Sequence, residues 1–211
     1  MSDATSDTHF WDKAARKYAA SRIADMAGYE RTLEHTRRHL SDSDKLLEIG
    51  CGTGTTAIRL APSVAHILAT DISSEMIAIG REKASAESCT NVTFERMTPV
   101  DTGLAGGAFD AVLGFSILHL LADRPAMYSN IKRVLKPGGL FISKTPCLAE
   151  MNPLIRLAVP AMQLFRRAPT HVAFFSAAEL EREIVAAGFD IIERGYHGTK
   201  GKDVRPFLVA Q

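Results

Sequence analysis

Short apolar runs alternate along this chain with longer stretches whose apolar residues recur every three or four positions. Lys45 to Ile49, Ala65 to Thr70, Val92 to Glu95, Phe109 to Gly114 and Leu140 to Lys144 read as buried strands. Between them, the spacing predicts helices over Phe10 to Ala20, Tyr29 to Leu40, and Thr53 to Ala61, the last stopped by Pro62. A further helix follows Ser73 or Ser74 as cap and runs to about Ser88, with Glu75 in its first turn. Another covers Arg124 to Leu135 and gives way to a "KPGG" turn, Lys136 to Gly139. Ser176 caps a last helix that Gly188 stops, and Phe189 to Tyr196 and Val204 to Ala210 are two strands around a Gly/Lys/Asp turn. The first seven residues are polar, aperiodic and expected to be loose.

Strands separated by helices of this length imply parallel pairing with right-handed crossovers. The last two strands are too close in sequence for another crossover, so an antiparallel hairpin ends the sheet. The expected fold class is therefore α/β: a Rossmann-like sheet of seven strands, mostly parallel with an antiparallel last strand, and helices on both faces. No repeat or linker divides the chain, which reads as a single domain over residues 1–211.

Composition narrows the function. Lysine plus arginine (25) balance aspartate plus glutamate (24) in a chain of 211 residues, which argues against a nucleic-acid partner. The three cysteines are scattered without a CxxC pair, so neither a disulfide frame nor a zinc site is expected. His35 and His39 share a helix face but show no third ligand, and no metal is expected. No run of about 18 apolar residues is present to span a bilayer, and the acidic, polar start is unlike a signal peptide. A cytoplasmic protein is the expectation.

The chemistry concentrates at "LLEIGCGTGTT", Leu46 to Thr56. Gly50, Gly52 and Gly54 follow the first strand, where an open α/β sheet binds its ligand. Glycine there permits positive φ and lets a ligand lie against bare backbone. Asp71 ends the next strand about 20 residues on, placed for a ribose diol. The loop lacks a Walker lysine, and its GxGxG spacing is not the GxGxxG of dinucleotide binders. Glu48 would repel a pyrophosphate at short range but would suit a ligand carrying an ammonium and a sulfonium.

Leu46 to Asp71 resembles motifs I and II of the class I S-adenosylmethionine-dependent methyltransferases. "VDTGLAGGAFDAVLGFSILHLL" (Val100 to Leu121) and "RVLKPGGLFI" (Arg133 to Ile142) resemble the later motifs. "FWDKAARKYA" (Phe10 to Ala19) resembles the N-terminal helix of the small-molecule branch, the type 11/25-like enzymes. The resemblance implies S-adenosylmethionine as cofactor, with Glu48, Gly50, Cys51 and Gly52 lining its methionine half. It implies Asp71 on the ribose hydroxyls, Ile72 against the adenine, Ser116 facing the methionine amino group through its backbone, and Tyr18 closing over the top. Where the family has an acidic residue for the adenine amino group, this chain has Thr98, followed by Pro99, which has no N–H. Met97 and Thr98 are thus the expected adenine neighbours.

The implied activity is methyl transfer by in-line displacement to a small, apolar acceptor, since "GFSILHLL" stands where adenine or amide methylating relatives carry an Asn-Pro-Pro-Tyr-like tetrapeptide. Phospholipid head-group N-methylation at a membrane surface and a non-catalytic S-adenosylmethionine-binding module are the alternatives. His119 is the candidate base, competing with a packed histidine. Asp101 and Asp110 are expected to serve a loop and a strand end, and Tyr196 and His197 are secondary catalytic candidates. Residues 8–40 form an N-terminal helical cap and residues 147–175 an insertion. The insertion is apolar, with Arg156, Arg166 and Arg167 against Glu150, and is broken by Pro153, Pro160 and Pro169. It reads as a lid over the acceptor, with a dimer surface or membrane contact as the other readings. The chain is expected to be a monomer or homodimer.

Overall fold

In the computed structural model of the chain, which describes residues 2–100, 102–165, 167–199 and 203–211, the sheet forms as the alternation requires. Its strands are β1 (Lys45–Ile49), β2 (His66–Asp71), β3 (Val92–Arg96), β4 (Phe109–Phe115), β5 (Leu135–Lys144), β6 (Ile191–Gly195) and β7 (Phe207–Ala210). They lie in the order β3-β2-β1-β4-β5-β7-β6, with β7 antiparallel to both neighbours and β1 to β5 parallel. Asp101 and Arg166, and the centre of the last turn at 200–202, lie outside the described residues.

The helices are α1 (Ser2–Ala20), α2 (Met26–Arg37), α3 (Thr55–Leu60), α4 (Ser74–Ala86), α5 (Arg124–Val134), α6 (Leu154–Leu164) and α7 (Ala177–Ala186). Alternate residues of each strand feed opposite cores. On one face Leu47, Ile49, Val112 and Phe141 pack with α5 and α7 through Met127, Ile131, Leu180 and Ile184. On the other Leu46, Ile67, Ala69 and Leu113 pack with α2, α3 and α4 through Leu33, Ile58 and Ile77. Several ends are fixed by side chains read in the sequence. Ser73 caps α4, Ser176 and Glu179 form a capping box on α7, and Asp110 ties the start of β1 to Lys136.

Three expectations are corrected. The first residues are not loose, because α1 begins at Ser2, and Asp7 accepts hydrogen bonds from the Thr170 N–H and hydroxyl at 2.6 and 2.7 Å. The "KPGG" turn is absorbed into β5 as an irregularity, where the register jumps from Phe109↔Leu135 to Ala111↔Leu140. The prolines of the insertion do not prevent a helix. Pro153 sits at the N-cap of α6 and Pro160 lies inside it, where the missing N–H leaves one turn unbonded without ending the helix.

Candidate active site

The winding of the sheet reverses between β1 and β4, so the carboxyl ends of these two strands splay apart and leave a cleft. Gly50, Gly52 and Gly54 all have positive φ, at 67, 54 and 74°, but for different reasons. A Cβ on Gly50 would lie 2.8 Å from Ile117, and one on Gly54 would run into the Phe94 ring. A Cβ on Gly52 would meet only Tyr18, at 3.6 Å. Two glycines therefore close the loop against the protein, and the third leaves backbone bare to the cleft.

Asp71 anchors this arrangement. Its Oδ2 accepts the Gly52 N–H at 2.9 Å and its Oδ1 the Ser73 N–H at 2.9 Å. Burial pushes its pKa up, opposed by these backbone donors. Glu48 is on an interior position of β1 and only 2% exposed. Its Oε2 has no hydrogen-bond partner, and its carboxyl is pushed up to about 8 by burial first and the Asp71 charge second, against a backbone hydrogen bond from Ala57. A carboxyl buried in this way stays protonated at pH 7 and ionises when a cation is brought beside it. At the end of β4, Ser116 is held at φ 55°, and its N–H donates to the Lys144 carbonyl at 2.7 Å. A non-glycine residue costs about 1–3 kcal/mol there, and this one borders both cavities of the cleft.

Helix α1 roofs the cleft because Asp12 accepts from the Ser73 hydroxyl at 2.7 Å and from the Glu75 N–H at 3.2 Å. Ala15 packs on Met76 and Ile79 behind it. This brings Trp11 and Tyr18, edge to face at 6.5 Å, over the glycine loop. Two cavities result, of 430 and 390 Å³, that share Tyr18, Gly50, Gly52, Phe115 and Ser116. Asp71, Ile72, Met97 and Thr98 line the first, and Glu48 and Cys51 line the second. Burial raises the Cys51 thiol well above its ordinary value, so it stays neutral.

All ten residues expected around a cofactor therefore border one continuous cleft. His119 is placed elsewhere: its Nδ1 lies 3.4 Å from the Thr145 hydroxyl, and it borders neither cavity. Burial pushes its pKa down to about 4, which leaves a neutral imidazole at pH 7. His197 is buried against His35 and Thr32, and Tyr196 is exposed. His35 and His39 both bond the Glu193 carboxylate, at 3.0 and 2.6 Å, and so fasten α2 to β6.

Several wall residues escaped the sequence reading. Trp11 lies two turns before Tyr18 on the same helix face, a signal that was available. Pro169, Thr170 and His171 also border the first cavity, and the buried Nε2 of His171 has no partner. They come from the last third of the insertion, where no periodicity points to them.

A doubly wound sheet of this order, with a glycine loop lacking a Walker lysine and an acidic residue closing β2, defines a Rossmann-like fold. Residues 46–139 match the family model described as "Methyltransferase domain". The chain is 31% identical to the demethylmenaquinone methyltransferase of Symbiobacterium thermophilum, over 69% of this chain and 59% of that one. It is 31% identical to the ubiquinone biosynthesis O-methyltransferase of Cereibacter sphaeroides, over 71% and 62%. It thus spans less than two thirds of the length of either relative. The fold matches that of an S-adenosylmethionine-dependent methyltransferase from Mesorhizobium loti with a TM-score of 0.70 at 19% identity, covering 87% and 97% of the two chains. Residues 46–139 are a methyltransferase domain, similar to S-adenosylmethionine-dependent enzymes, and S-adenosylmethionine is the cofactor this likeness gives it. Its residues fit that group: an orphaned buried carboxylate oxygen suits a cation, bare backbone at Gly52 admits close approach, and Asp71 faces the cavity.

Proposed function

We propose that this protein transfers a methyl group to a small, largely apolar acceptor, with Asp71 holding the ribose and Ile72, Met97 and Thr98 flanking the adenine. Glu48, Gly50, Cys51 and Gly52, with the Ser116 backbone, take the methionine half, and Tyr18 covers it. The observation that carries this reading is the partnerless Oε2 of the buried Glu48 carboxyl, which feels the Asp71 charge and borders the cleft.

When bound, the cofactor supplies a methyl carbon activated by a positive sulfur. The work of the protein is then positional. Holding a nucleophile in line with such a carbon can contribute on the order of 7–11 kcal/mol. Tyr18 and Trp11 exclude water from above, and Glu48 favours the cationic ligand over its neutral product. Leu120, Leu121 and Pro169 add an apolar wall to the first cavity, which supports an acceptor of low polarity. Two relatives are named for demethylmenaquinone and for ubiquinone biosynthesis, and a quinone-class ring suits such a wall. We assign no proton transfer to His119, since an acceptor that arrives deprotonated needs no base.

One observation favours a second reading. Lys144 and Arg205 border the second cavity and share one carboxylate, Asp203, at 3.8 and 3.4 Å; two cations on one acid would suit an anionic head group such as phosphoethanolamine, for which another relative, from Triticum aestivum, is named. The deciding experiment offers labelled S-adenosylmethionine with quinone precursors and with phosphoethanolamine, followed by mass analysis. Methyl gain by a quinone-class acceptor is expected. Gain by phosphoethanolamine alone would favour the second reading. Tight cofactor binding with no transfer to any acceptor would favour a non-catalytic module.

A further inference from the structure

Helix α6 has the usual arrangement of a surface helix turned inside out. Ile155, Val159 and Gln163, four apart, form its partly buried stripe, and none of its residues is fully buried. Its open face carries Leu154, Leu157, Ala158, Ala161, Met162 and Leu164, continued by Phe165. Leu157 is 74% exposed, Leu164 80% and Phe165 71%. A soluble surface helix places its apolar stripe on the core and its polar residues in water. Here the only charged residue of the helix is Arg156, with its guanidinium 5.6 Å from the Phe174 ring centre.

Charge indicates what covers this face. From Glu150 to Glu179 the sequence has no acidic residue between the two, while it carries Arg156, Arg166 and Arg167. Of these, Arg156 and Arg167 are exposed beside the apolar face. Glu150 turns its carboxylate inward, to the Ala177 N–H at 2.6 Å. The Glu179 charge is felt by Arg156 and Asp7 is taken up by Thr170, so the face itself is apolar with arginines and no acid of its own, which complements a surface of acyl chains under anionic head groups. A second copy of the chain is a poorer match. An 11-residue helix is about 16 Å long, and one face of it falls well short of the roughly 800 Å² per partner of a standard interface. Among the described residues no helix is long and apolar enough to cross a membrane, so lying in the interface is the mode left to α6.

We infer that α6 docks the protein on an anionic lipid bilayer and so sets the cavity wall at the membrane surface. The link to the cavity is direct. Gln163 donates to the carbonyls of Pro169 and Thr170, at 2.8 and 3.0 Å. These two residues border the first cavity, and Thr170 is bonded in turn to Asp7 of α1. The helix that meets lipid is therefore fastened to the roof under which an apolar acceptor would sit. That last step rests on the acceptor reading above; the docking itself does not.

Vesicle flotation tests it, with the full chain, vesicles of phosphatidylcholine alone, and vesicles of phosphatidylcholine mixed with phosphatidylglycerol. Binding is expected to the mixed vesicles and to weaken with added salt. The double variant Leu157→Ser/Leu164→Ser should lose at least about tenfold in vesicle affinity, the scale for one buried leucine. Arg167→Glu should lose the preference for the anionic lipid. Calorimetry with S-adenosylmethionine on the same preparations checks that the variants are folded, and their cofactor affinity should equal that of the parent. A folded parent that binds cofactor but neither vesicle overturns the docking and leaves the methyltransferase reading intact. Vesicle binding without cofactor binding does the reverse. Equal vesicle binding by the double variant, or concentration-dependent dimerisation that this variant abolishes, overturns the docking as well.

Discussion

At the exit of β1, apolar side chains are buried and the polar ones are tied to backbone or turned into the cleft; along α6, apolar side chains face water and few polar ones are present. Leu47 and Leu157 are the same residue, 0% and 74% exposed. The floor of the cleft is held by the fold and needs only its ligand. The face of α6 is left over by the fold: nothing among the described residues covers it, and an exposed apolar patch of this kind suits a partner. Substitutions in the two regions should therefore separate into those that move stability and those that move binding. The largest effect is expected for Leu47→Ala, which should cost about 2–5 kcal/mol in urea unfolding. A loss near zero would mean that the β1 core can collapse around the gap.

The glycines sharpen the contrast within the floor. Gly54→Ala should destabilise by about 2–4 kcal/mol, combining a left-handed backbone with a Cβ 2.6 Å from Phe94 Cζ. Gly52→Ala keeps only the backbone cost, about 1–2 kcal/mol, and should act mainly on cofactor binding, because its Cβ would enter the cleft. Equal unfolding costs for the two would remove the distinction between glycines closed by packing and a glycine open to the ligand.

The same contrast explains what could be read from the chain. The strands and their pairing sense, the caps at Ser73 and Ser176 and the loop chemistry were legible because each follows from local rules: alternation, a side-chain cap, positive φ at glycine. The ten cleft residues were legible through the family resemblance, and most of them lie at or just past strand ends that the winding brings together, with Tyr18 added from α1. The 147–175 segment was not legible. Periodicity announces a helix when one face is buried, and α6 buries none of its residues fully. Pro160 reads as a breaker, although one lost bond on a surface helix is tolerated. The helical start of α1 was missed for the complementary reason: the Asp7–Thr170 contact joins residues 163 apart.

Asp71→Ala should weaken S-adenosylmethionine binding by about 1–3 kcal/mol, the range for a charged hydrogen bond. Thr98→Ala should cost less, because Pro99 beside it has no N–H to share in an adenine contact. Isothermal calorimetry on the two variants orders these contacts, and a larger loss at Thr98 would reverse the assignment.

Glu48 gives the next effect, and its sign follows from protonation. The free carboxyl sits at about 8 against an ordinary 4.5, so at pH 7 it carries its proton. A cationic ligand favours the ionised form, and binding must release that proton. Affinity for S-adenosylmethionine should then rise about tenfold per pH unit up to roughly 8 and level off above. Glu48→Gln should lose this slope. The same group makes the free fold less stable as pH rises, because stability present below the unfolded value is lost on passing through the folded one. The glutamine variant should therefore unfold at higher temperature than the parent above pH 8 while binding cofactor more weakly. A parallel pH profile in parent and variant would show that Glu48 is ionised throughout.

The smallest expected effect is the one that completes the comparison. Leu157→Ala should change unfolding free energy by no more than about 0.5 kcal/mol, the scale of substitutions at surface positions. The side chain is largely in water already, so its removal forfeits little burial and opens no cavity. Its neighbours on the open face, Leu154, Ala158 and Ala161, are exposed as well and give it little to lean on. Urea unfolding of Leu47→Ala and Leu157→Ala side by side holds the chemistry of the deletion constant and varies only its place. A loss at Leu157 comparable to that at Leu47 would mean that α6 packs against the body through its outer face in solution. The region would then be core, and nothing would remain for a membrane to cover.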